Sequence, residues 1–164
     1  MKGIFQKAGL RIPLDKIPPT VGLNIGRMDI SNCRVIFWDL GGQIALRSIW
    51  EKYYSEAHGL MFVLDSADTE RFEEAKAAMD SLANHQELSG VPLLLCANKQ
   101  DLPTARPREE INDVFQMDKI GNKSREKKLQ MLSALTCAGI EEGITWLVNA
   151  AVNNPDVVRA GPRP

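Results

Sequence analysis

The chain has 164 residues and a mass of 18.2 kDa, a length that one domain fills with a proper core. Hydrophobic residues make up 44% and charged residues 25%, ordinary for a globular protein and far from a membrane-spanning composition. A formal net charge of −1 supports neither nucleic-acid binding nor attraction to an acidic membrane surface.

Cys33, Cys96 and Cys137 lie far apart, with no C-x-x-C, so they indicate neither a zinc site nor a disulfide framework. They read as reduced, buried thiols of a cytoplasmic protein. No apolar run reaches the length of a membrane span.

Met1 to Thr20 is poor in pattern, and Pro13, Pro18 and Pro19 discourage helix there. Leu23 to Asp29 predicts a strand, Ser31-Asn32 a turn, and Val35 to Asp39 a second strand. The expected hairpin has Thr20 at one end and Asp39 at the other, so that a mobile loop must carry Thr20 across. Val-Ile-Phe-Trp before Asp39 is the run of a buried strand, and Gly41, Gly42 and Gln43 follow the acid directly. A carboxylate there can hold a hydrated Mg²⁺, and Gly42 lets a backbone N–H approach a phosphate. Gln43 is placed to orient a water.

Ile44 to Ser55 carries Leu46, Ile49, Trp50 and Tyr53 at helical spacing, which fits a core face or a partner surface. Gly59 to Asp65 is another buried strand ending in an acid. Asp68 or Thr69 is expected to cap a helix whose Phe72, Ala75, Met79 and Leu82 share one face. Val91 to Asn98 predicts the next strand and Arg108 to Phe115 a short helix. Leu129 to Leu132 predicts the last strand, and Ile140, Ile144, Leu147 and Ala151 the face of a final helix. Alternating strands and helices predict an α/β, doubly wound, mostly parallel sheet. We expect one domain over residues 1–155 and a disordered tail over 156–164.

Asn98-Lys99-Gln100-Asp101 leaves the end of a buried strand, where open α/β sheets bind ligands. Its chemistry fits guanine: one carboxylate, Asp101, accepts from N1–H and the 2-amino group together. Adenine presents an acceptor at N1 and leaves that carboxylate unpaired. Asn98 can bridge base and loop, the Lys99 stem can cover the ring face, and the Ala134 N–H, next to Ser133, can reach O6. A dinucleotide-dependent oxidoreductase is a poor reading, because no G-x-G-x-x-G follows a strand.

Pro19-Thr20-Val21-Gly22-Leu23-Asn24, Trp38-Asp39-Leu40-Gly41-Gly42-Gln43, Asn98-Lys99-Gln100-Asp101 and Ser133-Ala134 together resemble the four ordered motifs of Arf-family small GTPases. The Thr20 to Gly26 run is most similar to the ADP-ribosylation-factor-related branch. The resemblance implies a P-loop-NTPase-type fold and a GTP/GDP switch in Golgi vesicle and protein traffic. It implies that Thr20 and Asp39 hold Mg²⁺, that Gly42 binds the γ-phosphate, and that Gln43 is the catalytic, water-orienting residue. Leu23, Trp38, Trp50 and Tyr53 would form the effector surface. Exchange factors and GTPase-activating proteins would be the other partners of a monomer held peripherally on Golgi membranes.

The family also has a G-x-x-x-x-G-K-[ST] phosphate loop, between a strand and a helix, ahead of the first motif. Nineteen residues precede Thr20 here, and no Gly-Lys dipeptide occurs anywhere in the chain. Losing about four charge-assisted hydrogen bonds at ~1.5–3 kcal/mol each would cost roughly 6–12 kcal/mol of nucleotide affinity. The expected sheet also lacks its first, central strand, and the chain reads as an incomplete product of a longer GTPase. A nucleotide-independent interaction module is the alternative expectation.

Overall fold

Apolar residues at alternate positions, interrupted by a two-residue turn, are what a hairpin needs. In the computed structural model, which describes residues 17–121 and 124–155, β1 (Leu23–Ile30) pairs antiparallel with β2 (Cys33–Leu40) in unbroken register. Residues 1–16 of the expected irregular stretch and the expected tail from 156 onward lie outside the described residues. Ser31 and Asn32 both take positive φ, 50° and 62°, as a type I′ turn requires. Gly26, Met28, Ile30, Cys33, Val35 and Phe37 share a half-buried face, while Ile25, Arg27, Arg34 and Ile36 are exposed on the other.

That register corrects the expected placement of Thr20. The start of the first strand and the end of the second meet at the open end of an antiparallel hairpin, and Asn24 lies directly opposite Asp39. Thr20 therefore needs no mobile arm to reach Asp39.

The segment Ile44–Glu56 winds as a 3₁₀-helix rather than the expected helical stripe, and none of its residues is buried. Leu46, Ile49, Trp50 and Tyr53 are half-buried while Ala45, Ser48, Glu51 and Lys52 are exposed, so the stripe is a partly covered face. With three residues per turn, Arg47, Trp50 and Tyr53 fall in one row.

The chain divides into two compact units between Tyr54 and Ser55. In the second, β3 (Leu60–Asp65), β4 (Leu93–Asn98) and β5 (Lys127–Met131) form a parallel sheet in that order. The helices α1 (Phe72–Asn84), α2 (Arg108–Phe115) and α3 (Ile140–Asn153) connect and cover it. β4 explains the layering: all of Leu93 to Ala97 are at most 1% exposed. Leu93, Leu95 and Ala97 pack with Phe72, Met79, Ile111 and Phe115 of α1 and α2. Leu94 and Cys96 point the other way, onto Leu147 of α3. An unbroken apolar run is the mark of a strand covered on both faces. Among the described residues β3 takes its ladder from β4 alone, and Met61 and Val63 on one of its faces are 41% and 56% exposed.

Three local expectations are corrected. Asp68 makes no capping bond; a 3₁₀ turn, Thr69–Arg71, leads into α1 instead. The last strand starts two residues early, because Lys127 and Lys128 carry their charges outward while their backbones pair with Leu93 and Leu94. Lys127 Nζ reaches the Ile120 carbonyl at 2.9 Å and Lys128 Nζ reaches Glu142 at 2.8 Å. The cysteines are not uniformly buried: Cys137 is exposed and Cys33 half-buried, while burial pushes the Cys96 thiol up to about 12.

Candidate functional site

Two constellations carry the sequence-predicted residues, one in each unit. In the first, the strand register sets Asn24 beside Asp39 at the open end of the hairpin. The Thr20 hydroxyl donates to Asp39 Oδ2 at 2.9 Å, and Asn24 Nδ2 donates to the same oxygen at 3.0 Å. Asn24 Nδ2 also reaches Thr20 Oγ1 at 3.4 Å. One hydroxyl and one carboxylate, side by side and open to solvent, make a hard oxygen donor set that suits Mg²⁺ completed by waters and phosphate oxygens. Asn24 was not singled out from the sequence, although its place opposite Asp39 follows from the hairpin register.

Gly41 and Gly42 have different tasks. A Cβ on Gly41 would stand 2.5 Å from the Thr20 carbonyl oxygen and 2.9 Å from Leu46 Cδ1, so the Thr20 segment closes onto Gly41 only because it is glycine. The Gly41 N–H donates to the Gly22 carbonyl at 3.2 Å. Gly42 has nothing within 4 Å of its Cβ position, so its free face is left for a ligand. Gln43 is exposed beside it, and its carbonyl accepts from Leu46 N–H at 2.8 Å. We expect Gly41→Ala to destabilise the hairpin end by about 1–3 kcal/mol and to separate Thr20 from Asp39. Gly42→Ala should leave stability within ~0.5 kcal/mol. Amide chemical shifts of Thr20 to Asn24, with thermal melts of both variants, check the pair; a shifted Thr20 in Gly42→Ala alone would reverse the assignment.

Leu23 and Trp38 lie on the opposite hairpin face from Asp39, together with Ile25, which pairs with Trp38 and is 49% exposed. Ile36 continues that face at 50% exposed, and Tyr53 packs its ring 5.4 Å from that of Trp38. Ile25 and Ile36 thus extend the surface expected for partners. Trp50 is engaged elsewhere: its indole N–H donates to the Gly41 carbonyl at 3.0 Å, and the Arg47 guanidinium stands 5.6 Å over its ring.

In the second unit, the loop leaving β4 is tied to the loop leaving β5. Asn98 Oδ1 accepts from the Ala134 N–H at 2.9 Å, and the Ser133 hydroxyl makes a short hydrogen bond to Asp101 Oδ1. Ser133 is itself 1% exposed and receives the Thr136 N–H at 3.2 Å, so its hydroxyl hydrogen is directed at the carboxylate. Ala134 N–H, expected free to reach a base oxygen, is directed at Asn98 instead. Lys99 takes a left-handed φ of 67° and pairs with Asp65 at 2.5 Å. Among the described residues Asp101 Oδ2 has no such tie, so an acceptor oxygen is presented at the carboxyl end of the sheet. Such an acceptor matches two adjacent N–H donors on a planar ring.

Comparison with known proteins bears on both constellations. The sequence profile described as the ADP-ribosylation factor family matches residues 10–151. The chain is 45% identical over 152 residues to ADP-ribosylation factor-related protein 1 of Bos taurus and of Homo sapiens, covering 92% of this chain and 75% of each relative. It is 38% identical over 136 residues to ADP-ribosylation factor-like protein 3 of Saccharomyces cerevisiae, covering 82% of this chain and 69% of that one. Among solved structures, the small GTPase Arl6 (BBS3) of Trypanosoma brucei, with the bound nucleotide analogue GppNp, aligns with a TM-score of 0.78 at 26% identity. That alignment covers 87% of this chain and 86% of the other. The α/β fold, the ordered motifs and these likenesses agree: the chain belongs to the ADP-ribosylation factor family of small GTPases.

Proposed function

We propose that this chain is a guanine-nucleotide-responsive protein of Golgi membrane traffic that reads the base through its second unit. The observation that carries the reading is the pair of ties between the two loops, Asn98 to Ala134 and Ser133 to Asp101, which hold the Asp101 carboxylate ready for a guanine edge. Thr20 and Asp39 would hold Mg²⁺, which when bound neutralises charge on phosphate oxygens. Gly42 N–H would donate to the terminal phosphate, and Gln43 would orient the water that attacks it during GTP hydrolysis. Effectors would bind the face of Leu23, Trp38 and Tyr53. Exchange factors, GTPase-activating proteins and peripheral membrane attachment complete the family pattern.

Within these 164 residues no Gly-Lys phosphate loop supplies the usual ring of N–H donors and its lysine. The base contacts then carry most of the affinity. We expect guanosine to bind at least ~100-fold better than adenosine, because adenine strands the Asp101 carboxylate. For the 164-residue chain we also expect GDP to exceed guanosine by less than about tenfold, since a Gly-Lys phosphate loop worth roughly 6–12 kcal/mol is not among these residues. Titration calorimetry of the chain with guanosine, adenosine and GDP tests both. Equal binding of guanosine and adenosine would remove the base-site reading; GDP binding ~1000-fold tighter than guanosine would remove the reading that the base dominates.

A second reading is favoured by the apolar face of Leu23, Ile25, Ile36 and Trp38, on which Ile25 and Ile36 are 49% and 50% exposed. On that reading the chain is a nucleotide-independent interaction module. Capture of Arf-family effectors that ignores GTP and Mg²⁺ would favour it over the switch.

A further inference from the structure

Lys99 holds a backbone conformation that a non-glycine residue seldom adopts, and such strain persists where surrounding contacts over-determine it. Two contacts do so here. The Lys99 carbonyl accepts the Leu102 N–H at 2.9 Å, and its ammonium meets Asp65 Oδ2 at 2.5 Å. Asp65 is itself aimed: its Oδ1 accepts the Ala67 N–H at 3.0 Å, which fixes the plane of the carboxylate. The ladder between β3 and β4 places Asp65 directly beside Asn98, the residue that begins the base loop. The Ser66 N–H, one residue on, donates to the Asn98 carbonyl at 3.1 Å, which locks the two strand ends together.

We propose that Asp65 is a positioning residue of the guanine site: it pins the Lys99 ammonium at the end of β3, so that the four-carbon stem is held across the place where the ring of the base lies. This rests on the base-site reading above. A long flexible side chain loses rotamer freedom when it covers a ligand, and a tether to a fixed carboxylate lowers that cost. Asp65 acts through Lys99 and has no bond of its own to the base.

Titrating guanosine into the full chain, followed by the amide signals of Leu102 and Ala134, tests this in wild type, Asp65→Asn, Asp65→Glu, Lys99→Met and the Asp65→Asn/Lys99→Met double variant. The asparagine is isosteric and retains an acceptor for Ala67 N–H, and the amide spectrum shows whether each variant is folded. Asp65→Asn should weaken guanosine about three- to fivefold, Asp65→Glu should recover most of that loss, and Asp65→Asn should have no further effect on top of Lys99→Met. The side-chain ammonium signal of Lys99 should be slow to exchange in wild type and lost in Asp65→Asn, a readout that needs no nucleotide. Unchanged guanosine affinity in Asp65→Asn, or the same loss with and without Lys99, overturns the inference alone. Absence of guanosine binding by wild type overturns the base-site reading and this inference with it.

Discussion

Replacing Asp101 with asparagine should turn the base preference of the chain from guanosine to xanthosine. Guanine offers two donors side by side, N1–H and the 2-amino group, whereas xanthine keeps N1–H and carries an oxygen at C2. A carboxylate accepts from both guanine donors; an amide accepts one and donates one, which is the xanthine pattern. Which end of the amide faces the base is settled by Ser133. Its oxygen already receives the Thr136 N–H, so its hydrogen must go to an acceptor, and the Asp101→Asn carbonyl oxygen must stay there. The amide nitrogen is then left in the place of Oδ2, where, on the proposed docking, it would meet the 2-amino group of guanine donor to donor. We expect a loss of about 100-fold or more for guanosine, from one lost charge-assisted bond and one stranded donor at ~1.5–3 kcal/mol each. Xanthosine should gain by a comparable factor. Competition titrations of the two nucleosides against wild type and variant give the answer directly. Parallel losses for both nucleosides would mean that Asp101 is a structural anchor for the loop and reads no base.

The proposed base site was legible because its parts are local. Asn98, Lys99 and Asp101 lie within four consecutive residues, at the end of a run so apolar that a buried parallel strand was the natural reading. What the sequence did not disclose is the wiring between loops. Ser133 and Ala134 follow β5 and Asp65 ends β3, and the two ladders that β4 makes with those strands bring them beside Asn98. The Ala134 N–H was expected to meet a ligand, but a backbone donor next to the Asn98 amide oxygen is satisfied within the protein.

The first unit shows the opposite balance. Its strand limits and turn were read to within two residues, but Val35 to Trp38 was read as a buried parallel-type strand, whereas β2 is half-buried in an antiparallel pair and Ile36 is 50% exposed. Its geometry was read wrongly, because pattern says which residues form strands but the antiparallel pairing decides which ends meet. The 3₁₀ winding of Ile44–Glu56 was hidden for a related reason. Periods of 3.0 and 3.6 are hard to separate over thirteen residues, and Trp50 takes its place through a bond to the Gly41 carbonyl that no periodicity encodes.

Truncating Phe115 to alanine should be the most damaging single change in the second unit. α2 has eight residues, too few to be helical by itself, and so depends on what it buries. Its two buried side chains, Ile111 and Phe115, are both fully inaccessible. The Phe115 ring stands edge-on to Phe72 of α1 with centroids 5.7 Å apart, so one truncation empties the contact between two helices and the β4 face beneath them. Removing a buried phenylalanine costs about 3–5 kcal/mol, and the lost aromatic pair lies within that range. The consequence reaches the site. The segment between Asp101 and α2 is held by the Arg106 N–H on the Ser66 carbonyl at 2.8 Å, and the Arg108 guanidinium holds the start of α2 to the Leu129 carbonyl at 3.0 Å. Both anchors slacken if α2 frays. Hydrogen exchange at Leu94 to Ala97 should therefore quicken by roughly 10²- to 10⁴-fold, the rate equivalent of that energy when exchange occurs through global opening. Guanosine affinity should fall by much less, because folded molecules still present the Asn98–Ala134 and Ser133–Asp101 ties. A Phe115→Ala chain with unchanged exchange in β4 would show that α2 is an appendage to the sheet. One that keeps its protection but loses guanosine would place Phe115 in support of the base loop alone.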